Sequence, residues 1–312
     1  MNWRKVIIQL ESEFKQTMKY GSLELYVSEV AIDMNQHGNR QQTAVVKHLP
    51  NKFRWINEGD TVWIHHSITT GHRNRLSVGS KNVTHNHNCV DKDNGLYTIG
   101  YDEYDGVGYN CLIYLVKDKD TGEFHTTNDF LFGVPNEDYT SESTSVGLWT
   151  PKRKDKGLPL EAVIKYTNEL GIEAGIPTDT VIGVVKHSDY VMDVEGQNMW
   201  RFRHKDVVYT RDGDEFTPVM NWLIFKADAP DTHTEAGLEI PESARKFKRT
   251  GVIQKVGDMC YENAVGDSVM FLRESDVHRL YDDIFITREA NIVPQAFIKS
   301  IRQWQHSVSQ RT

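Results

Sequence analysis

The residues best suited to chemistry in this chain are the histidines of its first third. His65, His66, His72, His85, His87 and Cys89 fall in one polar stretch, and His85-Asn-His-Asn-Cys89 is locally dense. Imidazole and thiolate are zinc and copper ligands, and alternate residues of an extended segment can converge on one ion. The stretch lacks the two-plus-two spacing of a zinc finger. A polar surface hairpin is therefore the preferred reading of His85, His87 and Cys89, and neither a metal nor another cofactor is expected. Catalytic patterns are missing as well: the chain has no Gly-x-Ser-x-Gly turn, no phosphate-cradling loop and no His-Glu-x-x-His helix. Asp102 with Glu103 and Asp214 with Glu215 are adjacent pairs, and adjacent residues of a strand point to opposite faces, which does not suit acid–base work. Gly106-Val107-Gly108 runs into Tyr-Asn-Cys without a surrounding βαβ pattern, so it is no dinucleotide turn. The chain is expected not to be an enzyme.

The composition supports a binding or assembly role. The 312 residues allow two or three domains with their own cores, and the net charge of -8 argues against a partner rich in phosphate, so no nucleic acid is expected. Cys89, Cys111 and Cys260 are few, odd in number and far apart, which excludes a disulfide framework and suits a reducing, cytoplasmic setting. No apolar run reaches the ~20 residues a membrane span needs, and the short apolar patch near the N-terminus meets Glu11 and Glu13 too soon for a secretory signal.

Most of the chain reads as short strands between Gly and Asp turns, the pattern of a mainly β fold built of small barrels. Trp3, Val6, Ile7, Leu10, Phe14 and Met18 recur at spacings of three and four, so an amphipathic helix is expected over 1–21. Phe297, Ile301, Trp304 and Val308 suggest a second one over 296–312. Between them one order of strands is found three times. The last block places strands at 223–226, 251–256, 267–272 and 284–287. A middle block has Cys111 to Lys117, Ala162 to Tyr166, Asp179 to Val185 and Asp206 to Arg211. A first block has Leu23 to Val30, Thr43 to His48, Gly59 to Ile64 and Leu96 to Ile99, with a long polar insertion over 65–95. Asp60 follows Val46 by the same interval as Asp267 follows Ile253, and Asp179 follows Ile164 by one residue more. Asp60, Asp179 and Asp267 are thus expected at the turn entering equivalent strands of a tandem repeat. The middle block contains a polar loop over 118–161 with the basic residues Lys152, Arg153, Lys154 and Lys156.

The last block, 218–295, resembles the GroES family of co-chaperonins. Pro218, Asn221, Trp222, Leu223, Ile224, Phe225 and Lys226 stand where that family has its Pro-x-x-Asp-Arg-apolar strand. Gly251, Ile253, Val256 and Gly257 follow its Gly-x-Val-x-x-Val-Gly strand. Val265, Gly266, Asp267, Val269 and Phe271 follow its Val-Gly-Asp-x-Val-x-Phe strand, and Glu289, Asn291, Ile292 and Val293 its closing segment. The resemblance implies three tandem GroES-like barrels, at 22–106, 107–217 and 218–295. It also implies a docking loop for a chaperonin ring over 228–249, with Gly237 as the turn, Leu238 and Ile240 as apolar anchors, and Glu239 and Pro241 completing the motif. The middle block offers Gly147-Leu148-Trp149 or Gly157-Leu158-Pro159-Leu160 for this role, and Asp33 to Gln42 of the first block has no apolar triplet.

Two functions are then expected from the fold. One is a homo-oligomeric co-chaperonin that assists protein folding on a chaperonin ring. The alternative is a building block of a viral (phage) particle that binds other viral structural proteins, with the barrels reused for assembly.

Overall fold

The structure is a computed structural model. It describes residues 5–11, 17–20, 23–26, 41–50, 53–69, 72–73, 84–85, 88–100, 112–136, 141–143, 149–151, 160–185, 190–234, 236–241, 247–273, 277–294 and 297. The protein is mainly β, with three antiparallel sheets of six or seven strands, and none of them closes into a barrel among the described residues. The single α-helix described is the short Glu169–Glu173.

One strand order is used in all three sheets. The third sheet runs Val277–Tyr281, Ile284–Arg288, Trp222–Ala227, Thr250–Val256, Ser268–Phe271, Ile292–Pro294. The first runs Cys89–Asp91, Leu96–Gly100, Lys5–Gln9, Thr43–His48, Thr61–Ile64, Ile113–Lys117, with Phe124–Thr126 added at the end. The second runs Tyr190–Val194, Gln197–Arg203, Phe130–Pro135, Leu160–Tyr166, Val181–Val184, Val207–Asp212, with Glu215–Pro218 added. In each, the chain enters at the third place, moves to the fourth and fifth, returns to the first and second, and leaves at the sixth.

The turn before the fifth place holds this pattern together. Ile253 N–H donates to Asp267 O (3.0 Å) while Gly266 N–H donates to Ile253 O (2.9 Å). Val46 does the same with Asp60 and Gly59 (2.9 and 2.8 Å), and Ile164 with Thr180 and Asp179 (3.0 and 2.8 Å). The second residue before the strand is left-handed in all three, with φ of 94° at Gly266, 95° at Gly59 and 61° at Asp179. Asp179 therefore stands in the glycine place and Thr180 in the aspartate place, one residue away from the expected alignment. Asp is among the few non-glycine residues that tolerate this backbone, because its short polar side chain bonds locally. Asp60 and Asp267 close their turns alike, accepting from Asn57 N–H (2.7 Å) and Ala264 N–H (2.8 Å).

Four expectations are corrected. Residues 5–9 of the expected N-terminal helix form a strand flanked by Thr43–His48 and Leu96–Gly100. Val6, Ile8 and Leu10 alternate inward and are buried. The same residues satisfy both periods, and pairing on both edges decides for the strand. Leu23–Tyr26 is not the first strand of that sheet but half of a separate hairpin with Thr17–Tyr20. Ile113–Lys117 does not open the second sheet; it pairs with Thr61–Ile64 and completes the first. The second sheet is entered by Phe130–Pro135, inside the expected loop. Correspondingly, Val207–Asp212 takes the place of Ile292–Pro294 rather than that of Ile284–Arg288. Of the expected C-terminal helix only Phe297 is described, and the basic cluster at 152–156 lies outside the described residues.

The chain divides into two compact units, Met1–Val134 with Lys165–Ile172 and Tyr190–Arg201, and Pro135–Ile164 with Glu173–Asp189 and Phe202–Thr312. In the first unit Val6, Ile8, Val46, Val62, Ile64 and Ile99 make one core, and Trp63, Tyr114, Phe130, Phe132 and Met192 a second. In the second unit Leu223, Phe225, Ile253, Val269 and Phe271 make one core, and Val208, Tyr209, Trp222, Ile224 and Ile286 another. Each unit contains the same crossing between sheets. Thr127 N–H donates to Tyr114 O (3.1 Å) and Phe130 N–H to Thr127 O (3.1 Å); Val219 and Trp222 repeat this on Val208 and Val219 (3.3 and 3.1 Å). Asn128 (φ 48°) and Met220 (φ 53°) take the same left-handed step between them.

In the second unit Glu289 ties a loop to the sheet. Its carboxylate accepts from the N–H groups of Tyr261 (3.0 Å), Glu262 (2.9 Å) and Asn263 (3.0 Å), and from Asn263 Nδ2 (3.0 Å). Burial pushes its pKa up, but these hydrogen bonds outweigh that and hold it below the ordinary 4.5. A depressed pKa stabilises the fold fully above the ordinary value and ceases to as pH falls through the folded one. Melting temperature should thus fall more steeply below pH 4.5 in the wild type than in Glu289→Gln; parallel curves would refute this. At the turns, Asp60 is buried and also accepts from Lys119 N–H (3.1 Å), whereas Asp267 is exposed. Denaturant unfolding should show Asp60→Ala costing about 1–3 kcal/mol, because two backbone donors lose a buried partner. Asp267→Ala should cost less, about 0.5–1.5 kcal/mol.

Candidate docking hairpin and polar clusters

The connection from Ala227 to Thr250 leaves the third sheet between its third and fourth places and is anchored at both ends. Asp228 N–H donates to Thr250 O (2.8 Å), and the Thr250 hydroxyl donates back to the Asp228 carboxylate. Lys248 pairs with Asp231 (2.7 Å), whose hydrogen bond and charge raise the lysine pKa. Phe247 packs edge-on against Phe285 (5.1 Å) and lies under the Arg279 guanidinium (5.2 Å).

Above this base the chain folds into a small hairpin. Ile240 N–H donates to Thr232 O (2.8 Å), Thr234 N–H to Leu238 O (2.7 Å), and Gly237 N–H to Thr234 O (2.8 Å), with a bridge between His233 and Glu239. The Thr234 hydroxyl accepts from Leu238 N–H (3.1 Å). Gly237 has φ +80°, and no atom beyond its chain neighbours comes near the place a β-carbon would take. Its glycine is thus demanded by backbone geometry, not by crowding. Leu238 projects from the tip 69% exposed, Glu239 and Pro241 are exposed, and Ile240 is half-buried. All five expected docking residues therefore share one hairpin end, with an aliphatic side chain held out to solvent.

The histidine-rich stretch, for which no metal is expected, is described only in part. His65 and His66 lie in the first unit against Tyr190: His66 Nδ1 is 2.5 Å from the Tyr190 hydroxyl, Gln42 Nε2 donates to that oxygen (3.0 Å), and the His65 ring stacks on Tyr190 at 5.6 Å. Burial raises the Tyr190 pKa, so the phenol remains a neutral donor and acceptor. The Arg201 guanidinium sits 4.5 Å from the Tyr114 ring and 4.8 Å from that of Tyr190. His72 and His85 are backbone partners in a separate two-stranded pair, Cys89 is a half-buried free thiol on a strand beside Leu96–Gly100, and His87 is outside the described residues. Among the described residues no group of three or more His, Cys, Asp or Glu could hold a metal ion. Glu215 of the carboxylate pairs is exposed and bonded to Lys255 (2.9 Å), which lowers its pKa, while Asp102 and Glu103 are outside the described residues.

A second, half-buried polar group was not legible in sequence. Glu161 accepts from Tyr209 Oη (3.0 Å), Arg211 Nε (2.9 Å), Arg211 Nη2 (2.7 Å) and Asn136 Nδ2 (2.9 Å). Tyr209 lies so close over Gly183 that a β-carbon there would stand 2.3 Å from its ring. With every carboxylate oxygen engaged, Glu161 holds three strands together instead of offering a base.

No protein-family model matches the chain, and no curated protein matches it. No helix among the described residues is long and apolar enough to cross a membrane.

Gly237→Val should strain the hairpin by about 1–2 kcal/mol, the penalty of a left-handed L-residue. Amide exchange at Gly237, Leu238 and Ile240 should accelerate while the melting temperature of the whole protein stays put. Unchanged exchange would show that the hairpin does not form.

Proposed function

We propose that this protein is a co-chaperonin-like factor that docks on a chaperonin ring through hairpins carrying short apolar motifs. The observation that carries this reading is Leu238, held 69% exposed at the tip of a hairpin whose base is anchored to the third sheet. An exposed aliphatic side chain on a small, otherwise polar projection is unfavourable in water and becomes favourable once a partner groove covers it.

The repeated sheet order supports the same reading. The connection between third and fourth places also contains a hairpin in the first sheet, Thr17–Tyr20 with Leu23–Tyr26, and in the second, Ser141–Ser143 with Trp149–Pro151. These carry Leu23-Glu24-Leu25 and Trp149-Thr150-Pro151, beside Leu238-Glu239-Ile240-Pro241 in the third. Should a second hairpin also dock, effective concentration would raise overall affinity while each contact stays easily released, as a removable lid requires.

The test uses purified chaperonin rings with and without nucleotide, and association read by sedimentation. Covering Leu238 and the exposed part of Ile240 contributes less than the ~3–6 kcal/mol of two fully exposed side chains, before ordering costs. Leu238→Ser with Ile240→Ser should therefore weaken nucleotide-dependent association at least about tenfold, equivalent to ~1.4 kcal/mol surviving those costs. Wild-type protein that never co-sediments with the ring ends this reading. Recovery in fixed ratio with a viral shell would put the building-block reading in its place.

A further inference from the structure

In the first unit, apart from the hairpins, a cavity of about 490 Å³ lies between the Phe124–Thr126 strand, the Arg54–Trp55 loop and the Glu169–Glu173 helix. That volume falls in the range of small-ligand and peptide-side-chain sites. Thr126 and Asn128 both line it. Thr126 is only 3% exposed, yet its hydroxyl has no hydrogen-bond partner, and the enclosed Nδ2 of the half-buried Asn128 is unpartnered too. Buried polar atoms in native proteins are nearly always paired, so two orphans lining one cavity indicate something that occupies it.

The surrounding groups narrow what that is. Arg54 forms a two-pronged pair with Glu169 (2.7 and 3.1 Å), so neither charge calls for an ionic ligand. Trp55 is stacked with His125 (4.8 Å) and covered by the Arg54 guanidinium (4.5 Å), so its ring is engaged and a planar base would have to displace them. Asn128 is held by Asn168 Nδ2 donating to its carbonyl (2.6 Å). At the rim Leu170 and Ile172 are 52% and 58% exposed, an aliphatic surface without cover. Asn128 Nδ2 can only donate, and the Thr126 hydroxyl can accept. A peptide group supplies the matching C=O and N–H, and an aliphatic side chain beside it would cover the rim.

We propose that this cavity binds a short uncharged peptide segment, with one backbone amide on Thr126 and Asn128 and an aliphatic side chain on Leu170 and Ile172. It is independent of chaperonin docking. The probe is the blocked tripeptide acetyl-Ala-Leu-Ala-amide, with acetyl-Ala-Glu-Ala-amide as control, titrated into the full chain and followed by ligand-observed NMR and by tryptophan fluorescence. The leucine peptide should bind and the glutamate peptide should bind at least about tenfold more weakly. Thr126→Val keeps the shape and removes the orphan hydroxyl, so it should leave melting unchanged or raised while weakening the leucine peptide about tenfold. Ile172→Glu, at an exposed position, should weaken it with no change in melting. Equal binding of both peptides, no binding of either, or unaltered affinity in Thr126→Val would each overturn the proposal. So would a structure of the probe-soaked protein in which water alone satisfies both atoms.

Discussion

The rest of the architecture depends on the exchange of backbone hydrogen bonds across one turn, repeated at Val46, Ile164 and Ile253. Each of these residues both donates to and accepts from the two residues that precede the next strand. This locks the register of the hairpin on which the remaining strands assemble. Register matters because a slip by one residue would turn every inward side chain outward. Ile164 and Ile253 have no measurable exposure and Val46 almost none, so a slip would turn three fully buried side chains toward solvent. The left-handed residue two places before the strand is the local requirement for the exchange. Glycine meets it twice, and Asp179 meets it at some conformational cost.

With the register held there, the connection between the third and fourth places is free to vary. It carries 227–250 in the third sheet and longer spans in the other two. Long insertions in such a place cost little, since loop-closure entropy grows only slowly with length. The third connection shows how a variable loop is given a defined tip. Asp228, Thr250 and Phe247 fix its base, Gly237 turns its end, and Leu238 is left without intramolecular cover. Function on loops over a rigid β scaffold follows from that division of labour.

Polar groups at least partly enclosed by the protein divide into satisfied and unsatisfied sets. Glu161 and Glu289 each accept four hydrogen bonds and act as ties between segments. Thr126 and Asn128 line a cavity with atoms left unpaired. In a low-dielectric interior the first kind stiffens a fold and the second destabilises it until something binds.

The sequence by itself determined the β class, a strand pattern found three times, four of the six strands of the last sheet and the five neighbouring residues that end up on one hairpin. Those features rest on local signals: Gly and Asp turns, short β-branched runs, and equal intervals between Val46 and Asp60 and between Ile253 and Asp267. Only the tertiary structure decided which strands open the first two copies. Lys5–Gln9 fits a helical stripe as well as a strand until two neighbours claim both its edges, and Ile113–Lys117 could open one sheet as readily as close another. It also decided the clusters around Tyr190 and Glu161 and the cavity at Thr126. Their members lie tens of residues apart in sequence, and side chains that meet only through strand pairing leave no local pattern to read.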